Sequence, residues 1–255
     1  MTTVGEIYDY INSFAPFSLQ QSYDNSGICA GERSMTVKKI LTALDITNEV
    51  VSEAKAEKCE LVISHHPVIF HPLKSLTMRQ PAVALTAAGI AAICMHTSFD
   101  SAKDGMNDLL VKQLGLEIIE PLVYEEGKPL GYVCSLKFEC SPSQLAAVCK
   151  KKLGCNSVRY IDSSRSISKV GVLSGSGGFA FREAAAKGCD ALITGDVKHG
   201  DFIDAKNADF CIIDAGHYYT ENIFHTFIAE KLAEQFPELV IKQAASGTDP
   251  VTLLV

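Results

Sequence analysis

Along the chain, short runs of β-branched and other apolar residues alternate with segments of helical character. VKKILTALDI (37–46), CELVIS (59–64) and IAAICM (90–95) predict strands, the first of them ending at an acid. NEVVSEAKAEK (48–58) and PAVALTAAG (81–89) predict the helices between them; the second stops at Gly89, a residue suited to the turn beyond a helix end. Strands that are apolar throughout need cover on both faces, so this alternation predicts an α/β fold with a parallel or mixed sheet. The middle of the chain differs. LGYVCSLKFEC (130–140) alternates apolar and polar positions, as a half-exposed strand does. SPSQLAAVCKKKLG (141–154) predicts a helix with Ser141 as N-cap, Pro142 in the first turn and Gly154 as stop. Further strands are expected at NSVRYI (156–161), SKVGVLS (168–174), ALITG (191–195) and DFCIID (209–214), with REAAAKG (182–188) helical. A long helix over 217–235 and strand-like VIKQA (240–244) and VTLLV (251–255) finish the pattern.

The chain has 255 residues, 47% hydrophobic and 21% charged, the balance of a globular protein of one or two domains. Its net charge of −7 argues against a dedicated nucleic-acid surface, which needs a basic face, but leaves room for a nucleotide in one local pocket. No apolar run reaches the roughly 18 residues of a membrane span. MTTVGEIYDYINSF (1–14) lacks the basic start of a secretory signal. Nine scattered cysteines without a C-x-x-C pattern predict reduced thiols, no cysteine-based zinc site and a cytoplasmic protein.

The histidines are unevenly placed. His65 and His66 directly follow one predicted strand, His96 and Asp100 the next, and His217 and Glu221 the strand DFCIID. In α/β sheets ligands gather beyond the carboxyl ends of strands. His217 and Glu221 are four apart and share a helix face. A lone His–His pair is more often structural, and a lone His/Glu pair more often a solvated face; three strand ends that each deliver such donors point to metal. The N/O donor set suits zinc, manganese or iron(II), singly or as a pair. Glycine-rich SGSGG (174–178) before a helix reads as an anion-binding turn or a tight turn. In TGDVKHG (194–200), Asp196 and His199 read either as catalytic groups or as a helix cap and a solvated residue. His96 and His199 are the candidate proton carriers, because imidazole titrates near neutral pH.

SHHP (64–67), HTSFDSAKDGMND (96–108), GSGG (175–178), TGDVKH (194–199) and GHYYTE (216–221) together resemble the Nif-three-like family of GTP cyclohydrolase 1 type 2 homologs and dinuclear metal-centre proteins. The likeness runs from YDNSG (23–27) to the last helix. It implies two α/β lobes with mixed sheets, the N- and C-terminal segments forming one and the middle segment the other. With EEGKPLG (125–131) as boundary, the expected division is a metal-binding lobe of 1–125 and 215–255 and an inserted lobe of 126–214. The resemblance implies two divalent ions held by His65, His66, Asp100, His217 and Glu221 and a homo-oligomeric, hexameric ring; a carboxylate such as Glu221 can bridge two ions. It implies a metal-dependent hydrolase that opens the guanine ring of GTP to give dihydroneopterin triphosphate, so a purine nucleotide is the expected substrate. The alternative is a non-catalytic metal-handling or regulatory factor that contacts other proteins. Two positions depart from the family's usual pattern. Tyr23 stands where Trp is common, and Gly200 where a second His is common.

Overall fold

The computed structural model describes residues 1–252 and 254. The chain divides into two compact units. One comprises Met1–Lys103 and Phe224–Pro250; the other comprises Asp104–Ile223 and the described residues beyond Pro250.

The first unit opens with α1 (Val4–Phe14), started by a capping box in which Thr3 and Glu6 satisfy each other's backbone N–H groups. There follow β1 (Gly27–Ala30), β2 (Lys39–Ala43), α2 (Asn48–Ala56), β3 (Leu61–Ser64), α3 (Pro81–Ala87), β4 (Ala91–Cys94) and the single turn α4 (Thr97–Asp100). The second unit contains α5 (Met106–Leu114), β5 (Glu117–Glu125), β6 (Lys128–Cys140), α6 (Pro142–Leu153), β7 (Arg159–Tyr160), β8 (Ile167–Ser176), α7 (Phe181–Ala186), β9 (Ala191–Gly195), α8 (His199–Asn207), β10 (Cys211–Asp214) and α9 (His217–Glu221). With α10 (Ile223–Gln235) and β11 (Val240–Gln243) the chain returns to the first unit.

The first sheet runs β1-β4-β3-β2-β11, parallel except for the antiparallel edge strand β1. Every residue of β3 and β4 is buried, which is why both read as unbroken apolar runs. Leu41, Val62 and Ala92 pack with Val50, Ala54 and Leu85 of the covering helices. Each fully buried Leu or Ile contributes roughly 1.5–3 kcal/mol. The second sheet runs β5-β6-β8-β9-β10-β7 and mixes antiparallel with parallel pairs. It carries a core on each face: Leu110, Leu145, Val170 and Ile213 in one, Leu173, Ala184, Leu192 and Phe210 in the other.

The division differs from the boundaries expected at 125 and 215. EEGKPLG is the turn of a β-hairpin: Glu125 pairs with Lys128, and the two residues between, Glu126 (φ 49°) and Gly127 (φ 79°), are both left-handed. That is the backbone a two-residue hairpin turn demands, and it uses the same Gly and polar residues as a linker. The units part instead after Lys103 and Ile223, so α5 and β5 belong to the second unit, and so do His217 and Glu221. The helix expected over 217–235 is interrupted at Asn222. The strand expected over VTLLV falls partly on residues 253 and 255, outside the described residues; Val251, Thr252 and Leu254 carry no regular structure. No helix among the described residues is long and apolar enough to cross a membrane. All nine cysteines are free thiols.

Candidate metal centre

In the first unit the donors gather because two parallel strands end side by side. Ser64 of β3 pairs with Cys94 of β4, so the residues that follow each strand emerge together. The ring centroids of His65, His66 and His96 lie 4.9 to 5.5 Å apart, and one ligand nitrogen from each lies within 4.8 Å of the others. His96, expected from sequence as a proton carrier, thus stands in the same cluster as two expected ligands. Asp100 closes α4 and places Oδ1 3.6 Å from His65 Nε2.

Each of these imidazoles is held at Nδ1. His65, fully buried, places Nδ1 2.8 Å from the Met95 carbonyl oxygen. His66 Nδ1 lies 2.7 Å from Asp45 Oδ1, and His96 Nδ1 lies 2.8 Å from Asp24 Oδ1. A carbonyl or carboxylate oxygen only accepts, so Nδ1 carries the proton, and Nε2 is left as the atom that could face a metal ion. Asp24 is itself enclosed, its side chain 0% exposed, and it also accepts from Ser26 Oγ, Thr97 Oγ1 and the Thr97 N–H. Burial alone would raise its pKa; the hydrogen bonds it accepts from His96, Thr97 and Ser26 outweigh that and hold it well below the usual carboxylate range. Asp24 and Asp45 were not singled out from sequence. The acid closing VKKILTALDI and the Asp of YDNSG were the available signals. Beside His66 a cleft of about 490 Å³ opens, lined by Asp45, Thr47, Glu49, Pro67, Pro81 and Thr248 among others, a volume suited to a small molecule.

In the second unit α9 starts directly beyond β10, after Ala215 and Gly216. Its i,i+4 pair meets: His217 Nε2 is 2.9 Å from Glu221 Oε2, and Glu221 is buried. Asp196, at the end of β9 in a left-handed conformation (φ 49°), holds His217 Nδ1 at 2.9 Å. Its contact is therefore one that orients His217. It does not cap α8, whose cap position is Lys198. His199 is the first residue of α8 and is exposed.

The glycine cluster has a packing role. Gly175 (φ 61°) lies so close to α9 that a Cβ there would stand 2.3 Å from Glu221 Oε1 and 3.3 Å from His217 Nε2. A Cβ at Gly195 would strike the His217 backbone nitrogen at 2.5 Å. The Gly175 and Gly177 N–H groups donate to the Thr220 and Thr194 hydroxyls. These donors serve the fold, which displaces the anion-cradle reading of SGSGG.

Imidazoles fixed at Nδ1 by carboxylates or, at His65, by a backbone carbonyl, and a cradle that admits Glu221 only because Gly175 lacks a side chain make a donor set that fits a borderline divalent ion such as zinc, manganese or iron(II).

The family model described as Duf34/NIF3 (NGG1p interacting factor 3) matches residues 2–250. A Clostridium acetobutylicum protein named GTP cyclohydrolase 1 type 2 homolog is 34% identical over 229 residues, covering 86% of this chain and 85% of that one. A Helicobacter pylori protein named GTP cyclohydrolase 1 type 2 is 34% identical over 236 residues, covering 91% and 92%. Among solved structures, a hypothetical protein of Staphylococcus aureus superimposes with a TM-score of 0.89 at 26% identity, covering 99% of both chains. A Bacillus cereus protein related to NIF3 shares the fold with a TM-score of 0.87 at 22% identity, again over 99% of both. The mixed α/β fold of both units, the His and carboxylate donors at their strand ends, and a match along nearly the whole sequence agree: the chain belongs to the Duf34/NIF3 family.

Proposed function

We propose that His65, His66, Asp100, His217 and Glu221 hold two divalent ions, and that the protein is a hydrolase acting on a purine nucleotide. The reaction proposed is of the GTP cyclohydrolase I type, opening the guanine ring of GTP with release of formate to give dihydroneopterin triphosphate. One observation carries the reading: every histidine of the ligand set is held at Nδ1 by an acceptor, so that Nε2 is the coordinating atom. The names of the Clostridium acetobutylicum and Helicobacter pylori relatives support the reaction class. Bound there, divalent ions supply Lewis acidity and activated water at neutral pH.

The chain's own residues do the rest. Asp45 and Asp196 fix the tautomers of His66 and His217. Asp24 holds His96 so that its Nε2 can take a proton from substrate or return it, the arrangement of a histidine backed by a buried carboxylate. His199, exposed at the start of α8, is the second proton carrier in this reading. The free thiols fit a reducing cell interior, and the working assembly proposed is a hexameric ring.

Metal-loaded protein given GTP should release formate and yield a product that becomes a fluorescent pterin on oxidation. Glu221→Gln should lower the metal content from two ions per chain. Two bound ions with no turnover of GTP would replace the enzyme by the metal-handling factor. Full metal content in Glu221→Gln would remove that residue as the bridge.

A further inference from the structure

We propose that Tyr23 and Phe70 form the wall against which the flat ring of the substrate's base stacks beside the histidine cluster. The inference rests on the purine-nucleotide reading above and names the part of that molecule which meets the first unit.

Large apolar side chains exposed singly on a surface need no explanation. These two are not single. Tyr23 is 53% and Phe70 39% exposed, and their rings contact each other at 6.4 Å between centroids and 61° between planes. Phe70 in turn meets His96 edge-on, at 5.8 Å and 82°. An unbroken aromatic series therefore leads from solvent, through Tyr23 and Phe70, to one of the clustered imidazoles.

The series is also held in place. Asn25 Nδ2 donates to the Ile69 carbonyl at 2.7 Å, tying the loop that carries Tyr23 to the loop that carries Phe70. Asp24, next to Tyr23, is anchored by His96, Thr97 and Ser26. A wall fixed before the ligand arrives loses little entropy on binding.

The chemistry selects the occupant. Two partly exposed aromatic rings attract a planar heteroaromatic ring and offer a phosphate no more than the single Tyr23 hydroxyl. Because Phe70 adjoins His96, a base held by the pair lies at the histidines. A phosphatase would need the opposite orientation, and the wall would then stand idle.

The chain contains no tryptophan, so Tyr23→Trp makes position 23 the sole indole fluorophore. The experiment titrates the metal-loaded Tyr23→Trp protein with GTP, guanosine and inorganic triphosphate, after its metal content and melting curve have been matched to the parent. GTP and guanosine should quench the fluorescence saturably, and triphosphate should not. Adding Phe70→Ala should weaken the quenching about 10- to 100-fold, the range expected for removing one base–aromatic stack. As a check free of the introduced indole, equilibrium dialysis of Phe70→Ala against guanosine should show the same loss. Saturable triphosphate binding with no response to guanosine overturns the proposal, and so does guanosine affinity unchanged by Phe70→Ala. Turnover of GTP without quenching would sink the wall and leave the reaction standing; quenching without formate or pterin would keep the wall and sink the reaction.

Discussion

Replacing Gly175 by Ala tests whether the α9 ligands depend on a missing side chain. The added methyl would stand 2.3 Å from Glu221 Oε1, where ordinary van der Waals contact begins near 3.4 Å. The carboxylate must retreat by about 1 Å, and it is buried, so little space is open to it. The substitution also places Ala at φ 61°, a left-handed conformation that costs about 1–2 kcal/mol. Crowding adds about 1–3 kcal/mol. Gly127→Ala is the matched control. It has φ 79°, and among the described residues its Cβ would meet nothing within 4 Å, so it carries the backbone cost alone. At about 2–4 °C per kcal/mol for a chain of this size, Gly175→Ala should melt roughly 2–12 °C below Gly127→Ala. Its metal affinity should fall about 10–100-fold, as when groups that orient a ligand are disturbed. Differential scanning calorimetry and elemental analysis of dialysed protein read both effects. If the two variants melt alike and Gly175→Ala keeps its metal, the close approach of Glu221 to the glycine is not what positions the carboxylate.

Asp45→Asn and Asp196→Asn should each weaken metal binding about 10–100-fold without unfolding the protein, measured by competition with a chelating dye; unchanged affinity would show that neither acid orients its histidine. His199→Ala should keep full metal content and lose hydrolytic activity: loss of metal would make His199 a ligand, and unchanged activity a solvated residue. Glu53 accepts from the backbone N–H groups of Ala245 and Ser246 and from Ser246 Oγ. Burial would raise its pKa, but these donors lower it below the usual glutamate value, so its stabilisation is present above about pH 4.3 and fades as the pH falls through the folded pKa. Thermal melts of Glu53→Gln should therefore lie below the parent at pH 7 and converge with it under acid conditions. A constant gap at every pH would refute the linkage.

The sequence was most legible where local chemistry and tertiary role coincide. Strands β3 and β4 are buried on both faces and read as apolar runs. The helix α6 begins and ends at the Ser141, Pro142 and Gly154 signals. Six His and carboxylate residues could be placed just beyond three strand ends, where the connections of an α/β sheet fall. What stayed hidden depends on partners distant in the chain. His96 is defined by Asp24, 72 positions earlier. Gly175 is needed because α9 passes over it, and a glycine run before a helix looks the same whether it faces an anion or a carboxylate. The hairpin at Glu126 and Gly127 and an interdomain linker use the same residues, so composition could not separate them.

The last strand of the first sheet has a consequence for how the protein is made. Lys39 of β2 pairs with Val240 of β11, roughly 200 residues later, and every strand of the second sheet is synthesised between them. On a ribosome adding about 5–20 residues per second, the edge of β2 stays open for about 10–40 s after it emerges. Ile40 and Leu41, with their row of unpaired backbone groups, are during that time a template for any other extended chain. The nascent protein thus has a period of vulnerability that its finished form conceals, and slow translation or crowded polysomes should raise the fraction lost to aggregation before β11 arrives.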